Sequence, residues 1–458
     1  MEPMSAQDAT FLHVENDVTP MHIGGVSIFA GPPPDFGELL EMVGAKLPRV
    51  PRYRQKVRFV PLGMSEPVWV DDPYFDLAYH LRHSAVPAPG NEAQLRTMAA
   101  RVFSQHLDRA RPLWEIWMVE GLEGERWALL SKVHHCMVDG VAATDLMSVM
   151  FSDDDGSSSP AAAWDPRPEP SDLELLVRGA SHRAVHPVEQ ARTAVRTRPD
   201  LVRGTLSALR ALTAAAPALR PSTSSLTGAI GPHRVWSWAR IDLGEVRQVR
   251  ASLGGTVNDV VLTIVASGFR DLLIERGEEV SRQRVVRTMV PVSVRLPGER
   301  GVYNNRVSAV FARLPVGIDD PAERLAQIQQ QMDGIKSSRQ AVAGDVLTQL
   351  SGFAPPLLLA LGSRAVTRSA RFNMDTATTN VPGPQQPVYA LGRRLEASYP
   401  YVPIVGTIRI VVAIFSYDGT LYFGVTGDRD HAPDINALSQ GIEAGLAGLL
   451  ARATAKPA

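Results

Sequence analysis

The chain is poor in cysteine, has no excess of either charge and contains no long apolar run. Its single cysteine, Cys136, rules out an internal disulfide framework and a cysteine zinc ribbon, which fits a reducing compartment. Lys and Arg total 47 against 48 Asp and Glu, so the basic excess typical of nucleic-acid-binding proteins is missing and no nucleic-acid partner is expected. Residues 1–11 lack the pattern of a signal peptide, and the most apolar stretches are far shorter than the roughly 20 residues that span a bilayer. We therefore expect a cytoplasmic protein, and any contact that it makes with a membrane would be from the surface.

The size and composition favour a large globular body with an α/β (α+β) fold. The chain has 458 residues, of which 45 % are hydrophobic and 21 % charged, enough for two or three domains or one two-lobed body. Strand and helix patterns alternate along it. In the first part, strands are predicted at 21–29, 114–119 and 127–133, and helices at 36–47, 91–106 and 141–151.

A change in composition marks the predicted boundary between two lobes. Residues 152–171 are rich in Asp, Ser, Gly and Pro, which is typical of a linker. The sequence therefore predicts an N-terminal lobe at 1–155, a linker and helical crossover at 156–230, and a C-terminal lobe at 231–458. Arginines line one face of the crossover between Arg178 and Arg210. A solvated helix face is the favoured interpretation, and a surface that binds anionic lipid is the alternative.

The C-terminal lobe shows its own series of strands and helices. Asp418-Gly419 between two apolar runs predicts a tight hairpin turn, because this pair accepts the positive φ angles of a type I′ turn. Strands are predicted at 285–294, 305–314, 408–417 and 421–426, and helices at 256–275, 321–338 and 435–450.

The segment His134-His135-Cys136-Met137-Val138-Asp139-Gly140 carries the chemistry. Its form is HHxxxDG, and it lies between a predicted strand end and a predicted helix start. A histidine can take a proton from a hydroxyl and later return one, as acyl transfer to an alcohol requires. Two histidines at a strand end are also compatible with hydrogen-bonded core side chains, and Asp139 with a helix N-cap.

The motif resembles the active-site motif of the acyltransferase superfamily that includes chloramphenicol acetyltransferase and peptide-synthetase condensation domains. Further motifs, spread over essentially the whole chain, resemble one branch of it, the bacterial wax ester synthase/diacylglycerol acyltransferases. They are Met4-Ser-Ala-Gln-Asp-Ala-Thr-Phe-Leu12, Pro20-Met-His-Ile-Gly24, Arg111-Pro-Leu-Trp-Glu115, Thr256-Val-Asn-Asp-Val-Val-Leu262, Val290-Pro-Val-Ser-Val-Arg295 and Thr379-Asn-Val-Pro-Gly-Pro384.

The resemblance implies a fold and a reaction. The fold would be two chloramphenicol-acetyltransferase-like lobes, with the motif at a tunnel between them. The donor would be long-chain acyl-CoA and the acceptor diacylglycerol or a fatty alcohol, giving triacylglycerol or a wax ester. Because these acceptors are insoluble in water, a peripheral location on the inner membrane face or on lipid droplets is expected. Acyl-CoA is then a substrate, and neither a cofactor nor a metal is expected. The alternatives are a related enzyme that acylates another lipid alcohol and an inactive lipid-binding relative.

The resemblance also implies roles for the motif residues. His135 would be the general base, and His134 would orient it or shape the pocket. Thr379 and Asn380 are candidates for binding the oxyanion of the tetrahedral intermediate. A competing Cys136 nucleophile is disfavoured, because neighbouring side chains on an extended backbone point to opposite sides.

Other candidates have a structural interpretation beside the functional one. Asp139 is expected to hold the loop by pairing with Arg295, and Gly140 to allow a backbone shape that a Cβ would obstruct. The same motifs add two further groups of candidates. Asn258 and Asp259 are candidates for the active-site scaffold, with a helix cap as the structural alternative. The candidates for the lining of the acyl channel, with ordinary core as the alternative, are Pro112, Leu113, Trp114, Val260 and Leu262.

Overall fold

The computed structural model describes the chain in five segments that cover most of both predicted lobes. They are residues 2–137, 164–177, 224–293, 307–337 and 374–455. Within them the fold is built on two six-stranded mixed sheets with helices packed against them. This architecture confirms the predicted α/β class and the two sheet-containing lobes.

The first sheet carries the motif strand at its centre. Its order is β12-β13-β2-β7-β6-β5, with β5 and β6 parallel and the other neighbours antiparallel. The motif strand β7 therefore has a neighbour on each side, which fixes its end in place. The strands are β2 (His22–Phe29), β5 (Leu81–Ala85), β6 (Trp114–Leu122), β7 (Arg126–His134), β12 (Tyr389–Ala390) and β13 (Arg393–Tyr401).

The second sheet belongs to the C-terminal part of the chain. Its order is β10-β9-β11-β14-β15-β8, and β11 runs parallel to both of its neighbours. At the turn between β14 and β15, Asp418 and Gly419 have φ angles of 44° and 77°, which confirms the predicted hairpin. The strands are β8 (Arg234–Asp242), β9 (Val286–Ser293), β10 (Val307–Leu314), β11 (Thr376–Pro382), β14 (Ile410–Tyr417) and β15 (Thr420–Asp428).

A small third sheet and the helices complete the described fold. The small sheet has the order β1-β4-β3, from β1 (Glu2–Pro3), β3 (Gln55–Arg58) and β4 (Val68–Asp71). The α-helices are α1 (Ala6–Val14), α2 (Phe36–Lys46), α3 (Leu77–His80), α4 (Glu92–Phe103), α5 (Leu243–Leu253), α6 (Val257–Glu275), α7 (Pro321–Ser337) and α8 (Ile435–Ala455). None of the helices in the described segments has the length and apolarity needed to cross a membrane.

Helix ends follow local sequence signals. Asn91 caps α4 in a reciprocal box with Gln94, and Thr256 does the same for α6 with Asp259. After α6 the chain turns at Gly277, whose φ of 68° is the left-handed conformation that commonly ends a helix. These ends lie within a few residues of those predicted at 91–106 and 256–275.

Two strands from the second half of the sequence, β12 and β13, complete the sheet of the first half. β13 lies within the range 231–458 but pairs with β2, with Gly24 opposite Tyr401. The core around the first sheet in turn includes side chains from the second sheet, among them Trp238 of β8 and Tyr422 of β15. The two sheets therefore share one hydrophobic interior where they meet.

Aromatic stacking and close backbone approach hold the two sheets together. The rings of Trp238 and Tyr399 stack with centroids 4.3 Å apart, and the hydroxyl of Tyr422 donates to the Glu396 carbonyl oxygen at 2.8 Å. A Cβ at Gly424 of β15 would lie 1.7 Å from the carbonyl oxygen of Pro400 on β13. Only glycine allows this approach without a shift of backbone.

Replacing Gly424 tests the contact between the sheets. We expect Gly424→Ala to lower the free energy of unfolding by about 1–3 kcal/mol, because the new methyl group has to push β15 away from β13. Gly334→Ala is the matched control, since a Cβ there would meet no atom of the described residues within 4 Å and alanine favours a helix interior. Urea unfolding measures both variants, and equal midpoints would contradict the close contact.

Candidate active site

The pairing of β2 with β7 places the two histidines of the motif. His134 is the last residue of β7 and lies opposite His22 of β2, and its backbone N–H donates to the Leu113 carbonyl oxygen at 2.9 Å. The chain then leaves the sheet in a 3₁₀ turn over His135–Met137. The backbone N–H of His135 donates to the Met21 carbonyl oxygen at 2.9 Å, which ties the turn to the start of β2. The two side chains thus lie in different environments although they are adjacent in sequence.

His134 is buried and its protonation state is set by its contacts. Its Nδ1 accepts the backbone N–H of Cys136 at 3.2 Å, and the side chain is 1 % exposed. A nitrogen that accepts a hydrogen bond carries no proton, so the ring is neutral and its proton lies on Nε2. That Nε2 faces Glu15, with 3.6 Å between Nε2 and the Oε2 of the carboxylate.

His135 is half-buried, and its ring stacks on Phe11 of α1. The ring centroids are 3.9 Å apart and the planes are 16° from parallel. Nδ1 is buried without a hydrogen-bond partner among the described residues. Burial lowers the pKa of His135 to about 4, because a charged ring would lose its hydration. At neutral pH the ring is therefore uncharged and able to accept a proton.

Cys136 lies in an apolar cluster with Met4, Leu12 and Leu113. The residue is 3 % exposed, and burial raises the pKa of its thiol well above the ordinary value. A nucleophilic cysteine must be a thiolate, and this environment favours the protonated thiol. The geometry supports the expectation that Cys136 is not the nucleophile.

A carboxylate absent from the sequence prediction lies directly behind the motif. Glu15 caps the C-terminal end of α1, and its side chain is 5 % exposed. It accepts from the Met21 backbone N–H at 3.0 Å and from Nε of Arg109 at 2.9 Å. Burial alone would raise the pKa of Glu15, but the close contacts with His106 and His134 outweigh it and the pKa is held far below its usual range.

One local signal for Glu15 was available in the sequence. A negative charge at the C-terminal end of a helix opposes the helix dipole, so a glutamate there needs compensation from cations elsewhere. Arg109 and His106 provide it, but both lie about ninety residues further along the chain. Pairing at that distance in sequence is a property of the folded molecule.

The interior next to the motif holds two more unusual polar groups. His22 is fully buried, and neither ring nitrogen has a hydrogen-bond partner among the described residues. Lys132 is 1 % exposed and donates from Nζ to the Gln105 carbonyl oxygen at 2.8 Å. Burial lowers the pKa of Lys132 to about 8, and the charge of Glu115 limits the shift.

The proposed channel residues lie in packed interiors. Pro112 is buried, Leu113 packs with Cys136, and Trp114 donates from its indole N–H to the Tyr53 carbonyl oxygen at 2.8 Å. Val260 and Leu262 are buried in the core of the second lobe. The structure thus describes them as core residues, and an additional role in an acyl channel stays a prediction.

Asn258 and Asp259 lie in the first turn of α6, and Asp259 takes part in the cap of this helix. Its Oδ2 accepts the backbone N–H of Thr256 at 2.8 Å, while its buried Oδ1 has no partner among the described residues. Asn258 is half-buried beside it. Their contribution to an active-site scaffold stays a prediction.

Thr379 and Asn380 lie in the middle of β11, opposite Ala413 and Ile414 of β14. Both are half-buried. Neither side chain forms a hydrogen bond within the described segments. No hydrogen bond or ring contact in these segments joins them to His135, and their oxyanion role stays a prediction.

Several predicted positions lie outside the described residues. They are Asp139, Gly140, Arg295, the helix 141–151 and the arginine-lined face from Arg178 to Arg210.

Comparison with known proteins gives the family. The family model of the wax ester synthase/diacylglycerol acyltransferase catalytic domain matches residues 4–261, and the model of the C-terminal domain of the same family matches residues 303–449. The chain belongs to this family. It is therefore an acyltransferase, and the resemblance read from HHxxxDG and the surrounding motifs is confirmed.

Individual relatives agree with this membership. A protein of Mycobacterium tuberculosis H37Rv named as a probable diacylglycerol O-acyltransferase is 36 % identical over 454 residues, covering 98 % of this chain and 96 % of that one. The structure of a wax ester synthase/diacylglycerol acyltransferase from Marinobacter aquaeolei VT8 is 26 % identical with a TM-score of 0.69, covering 99 % and 100 %. A condensation domain of the calcium-dependent antibiotic synthetase, 17 % identical with a TM-score of 0.63 over 100 % and 97 %, shares the fold.

Removing the thiol tests whether this acyltransferase uses a cysteine nucleophile. We expect Cys136→Ala to retain most of the acyl transfer rate, because a thiol with a raised pKa supplies almost no thiolate at neutral pH. A modest loss of stability is expected from the small cavity. Steady-state rates normalised to folded protein measure the effect, and a folded but inactive variant would revive the acyl-enzyme mechanism.

Proposed function

We propose that this acyltransferase transfers the acyl group of long-chain acyl-CoA to the free hydroxyl of diacylglycerol, forming triacylglycerol, with His135 as general base. The relatives at 36 % identity are named for diacylglycerol acylation, which favours this acceptor. The observation that carries the mechanism is the contrast between the two motif histidines. Nδ1 of His134 already accepts from Cys136 and its side chain is 1 % exposed, whereas His135 is uncharged and half-buried, so its ring can take a proton from a substrate.

The reaction balances without a covalent enzyme intermediate. The acceptor hydroxyl oxygen attacks the thioester carbonyl carbon while His135 takes the hydroxyl proton. The tetrahedral intermediate then collapses with cleavage of the carbon–sulfur bond, and CoA leaves as a thiol after recovering the proton from His135. The products are the ester and free CoA.

The proposal assigns supporting roles to residues around His135. Phe11 restricts the ring to one plane by stacking, and the Met21 carbonyl oxygen holds the backbone of the turn. Thr379 and Asn380 remain the candidates that would donate to the oxyanion, since their side chains are free in the described segments. Asp139 paired with Arg295 remains the proposed support of the loop that follows. Because the acceptors are insoluble in water, we also propose that the enzyme binds them at a lipid surface.

Replacing His135 tests the base. We expect His135→Ala to lower kcat by about 10²- to 10⁴-fold with the fold retained, because general-base catalysis typically contributes that much. His83→Ala is the matched control, since His83 is 44 % exposed on β5 and pairs with Glu120 in the first sheet. A folded His135→Ala enzyme that keeps more than about a tenth of the wild-type rate would exclude His135 as the base.

A substrate panel tests the donor and the acceptor. We expect palmitoyl-CoA to be used many-fold better than acetyl-CoA, since each buried CH₂ contributes roughly 0.8 kcal/mol of binding. Diacylglycerol should give triacylglycerol, detected by mass. A wax ester from a fatty alcohol as the sole product would replace the proposed acceptor, and equal kcat/KM for the two donors would contradict the long-chain assignment. The absence of any product would favour an inactive lipid-binding relative.

A further inference from the structure

Two chains of contacts run from the buried carboxylate of Glu15 to the two sides of His135. We propose that Glu15 is a positioning residue that holds His135 in its reactive orientation through Met21 on one side and His134 on the other. This inference rests on the proposed function, because it gives Glu15 a purpose only if His135 is the base.

The first chain passes through the peptide backbone of Met21. Oε1 of Glu15 accepts the Met21 N–H at 3.0 Å, and the Met21 carbonyl oxygen accepts the His135 N–H at 2.9 Å. Both groups belong to the same residue at the entry to β2. A displacement of the carboxylate is therefore passed directly to the backbone of His135.

The second chain passes through the ring of His134. Oε2 of Glu15 lies 3.6 Å from Nε2 of His134, and a negative charge there favours the tautomer with the proton on Nε2. That tautomer leaves Nδ1 as an acceptor for the Cys136 N–H, the bond observed at 3.2 Å. The peptide that follows His135 is held by this bond. Loss of the charge would allow the other tautomer, in which Nδ1 carries a proton and the bond to Cys136 is lost.

The carboxylate is itself firmly held. Arg109 donates to Oε2 from Nε at 2.9 Å as well as from Nη2, and Nη2 also donates to the Leu12 carbonyl oxygen at 3.1 Å. His106 adds a contact of 3.5 Å between Nδ1 and Oε1. A carboxylate fixed by this many donors has little freedom to move, which suits it to orient other groups.

The consequence of losing Glu15 falls on the chemical step. A displacement of about 1 Å in a reacting group can lower the rate by up to about 100-fold without weakening substrate binding. The residues along both chains of contacts, Glu15, Met21 and His134, are buried behind the motif. The effect should therefore appear in kcat and leave KM nearly unchanged.

The experiment replaces the charge while keeping the volume. We expect Glu15→Gln to lower kcat about 10- to 100-fold with KM for palmitoyl-CoA within about twofold of wild type. Asp434→Asn is the matched control, because it removes a carboxylate bound by Arg276 at 2.6 and 2.7 Å in the second lobe. If stability alone mattered, both variants would lose activity in proportion to their unfolded fraction.

A spectroscopic measurement tests the contact apart from activity. Ring ¹⁵N chemical shifts of His134, assigned by comparison with His134→Gln, should report a proton on Nε2 in the wild type and a mixture of tautomers in Glu15→Gln. Should Glu15→Gln not fold, Arg109→Gln takes its place, since Arg109 is 40 % exposed and its loss loosens the same carboxylate. It should lower kcat several-fold with KM unchanged.

The outcomes separate this inference from the proposed function. An inactive His135→Ala enzyme together with unchanged kcat in Glu15→Gln, or in Arg109→Gln where that replaces it, would overturn the positioning role and leave His135 as the base. The wild-type His134 tautomer persisting in Glu15→Gln would overturn the second chain of contacts. A fully active His135→Ala enzyme would overturn the base assignment and this inference with it.

Discussion

The pairing of β13 with β2 is the constraint on which the rest of the architecture depends. β2 lies between β13, which comes from the far end of the sequence, and β7, which ends in His134. β2 and β7 approach each other closely at Gly24, where a Cβ would lie 1.8 Å from the Ser131 carbonyl oxygen. The position of the motif turn therefore depends on contacts between residues nearly four hundred apart in sequence. A site of this kind forms only when both halves of the chain have folded.

Several polar groups behind the motif are buried, and each of them has a contact that compensates for its burial. Glu15, Lys132 and His134 are each within a few per cent of full burial, where unpaired charges are expensive. The structure meets that cost with Arg109 and His106 on Glu15, with Glu115 and a carbonyl oxygen on Lys132, and with a neutral ring at His134. The same low-dielectric surroundings disfavour the charged form of His135. Burial thus raises the free-energy cost of charged groups in this interior and also keeps the proposed base unprotonated.

Local signals in the sequence predicted some of the regular elements and missed others. The hairpin at Asp418-Gly419, the cap of α6 at Thr256 and the motif strand ending at His134 all follow from turn chemistry, capping residues or alternation over a few positions. The strands of the small sheet, several strands of the two main sheets (β5, β8, β11, β12 and β13) and the helices α1, α3 and α5 were missed. Brief segments such as β1, two residues long, owe their structure to a partner strand and have little pattern of their own.

By itself the sequence determined the family, the fold class and the histidine pair, because HHxxxDG and the surrounding motifs are local patterns that can be recognised without knowing which distant segments they contact. Only the tertiary structure decided which histidine is buried and which is available, since adjacent residues in a motif carry no signal of the turn that separates their environments. It also decided that β13 belongs to the first sheet and that Glu15 lies against His134. Those are contacts between distant segments, formed when α1, the region around Arg109 and the end of β7 close around one buried carboxylate.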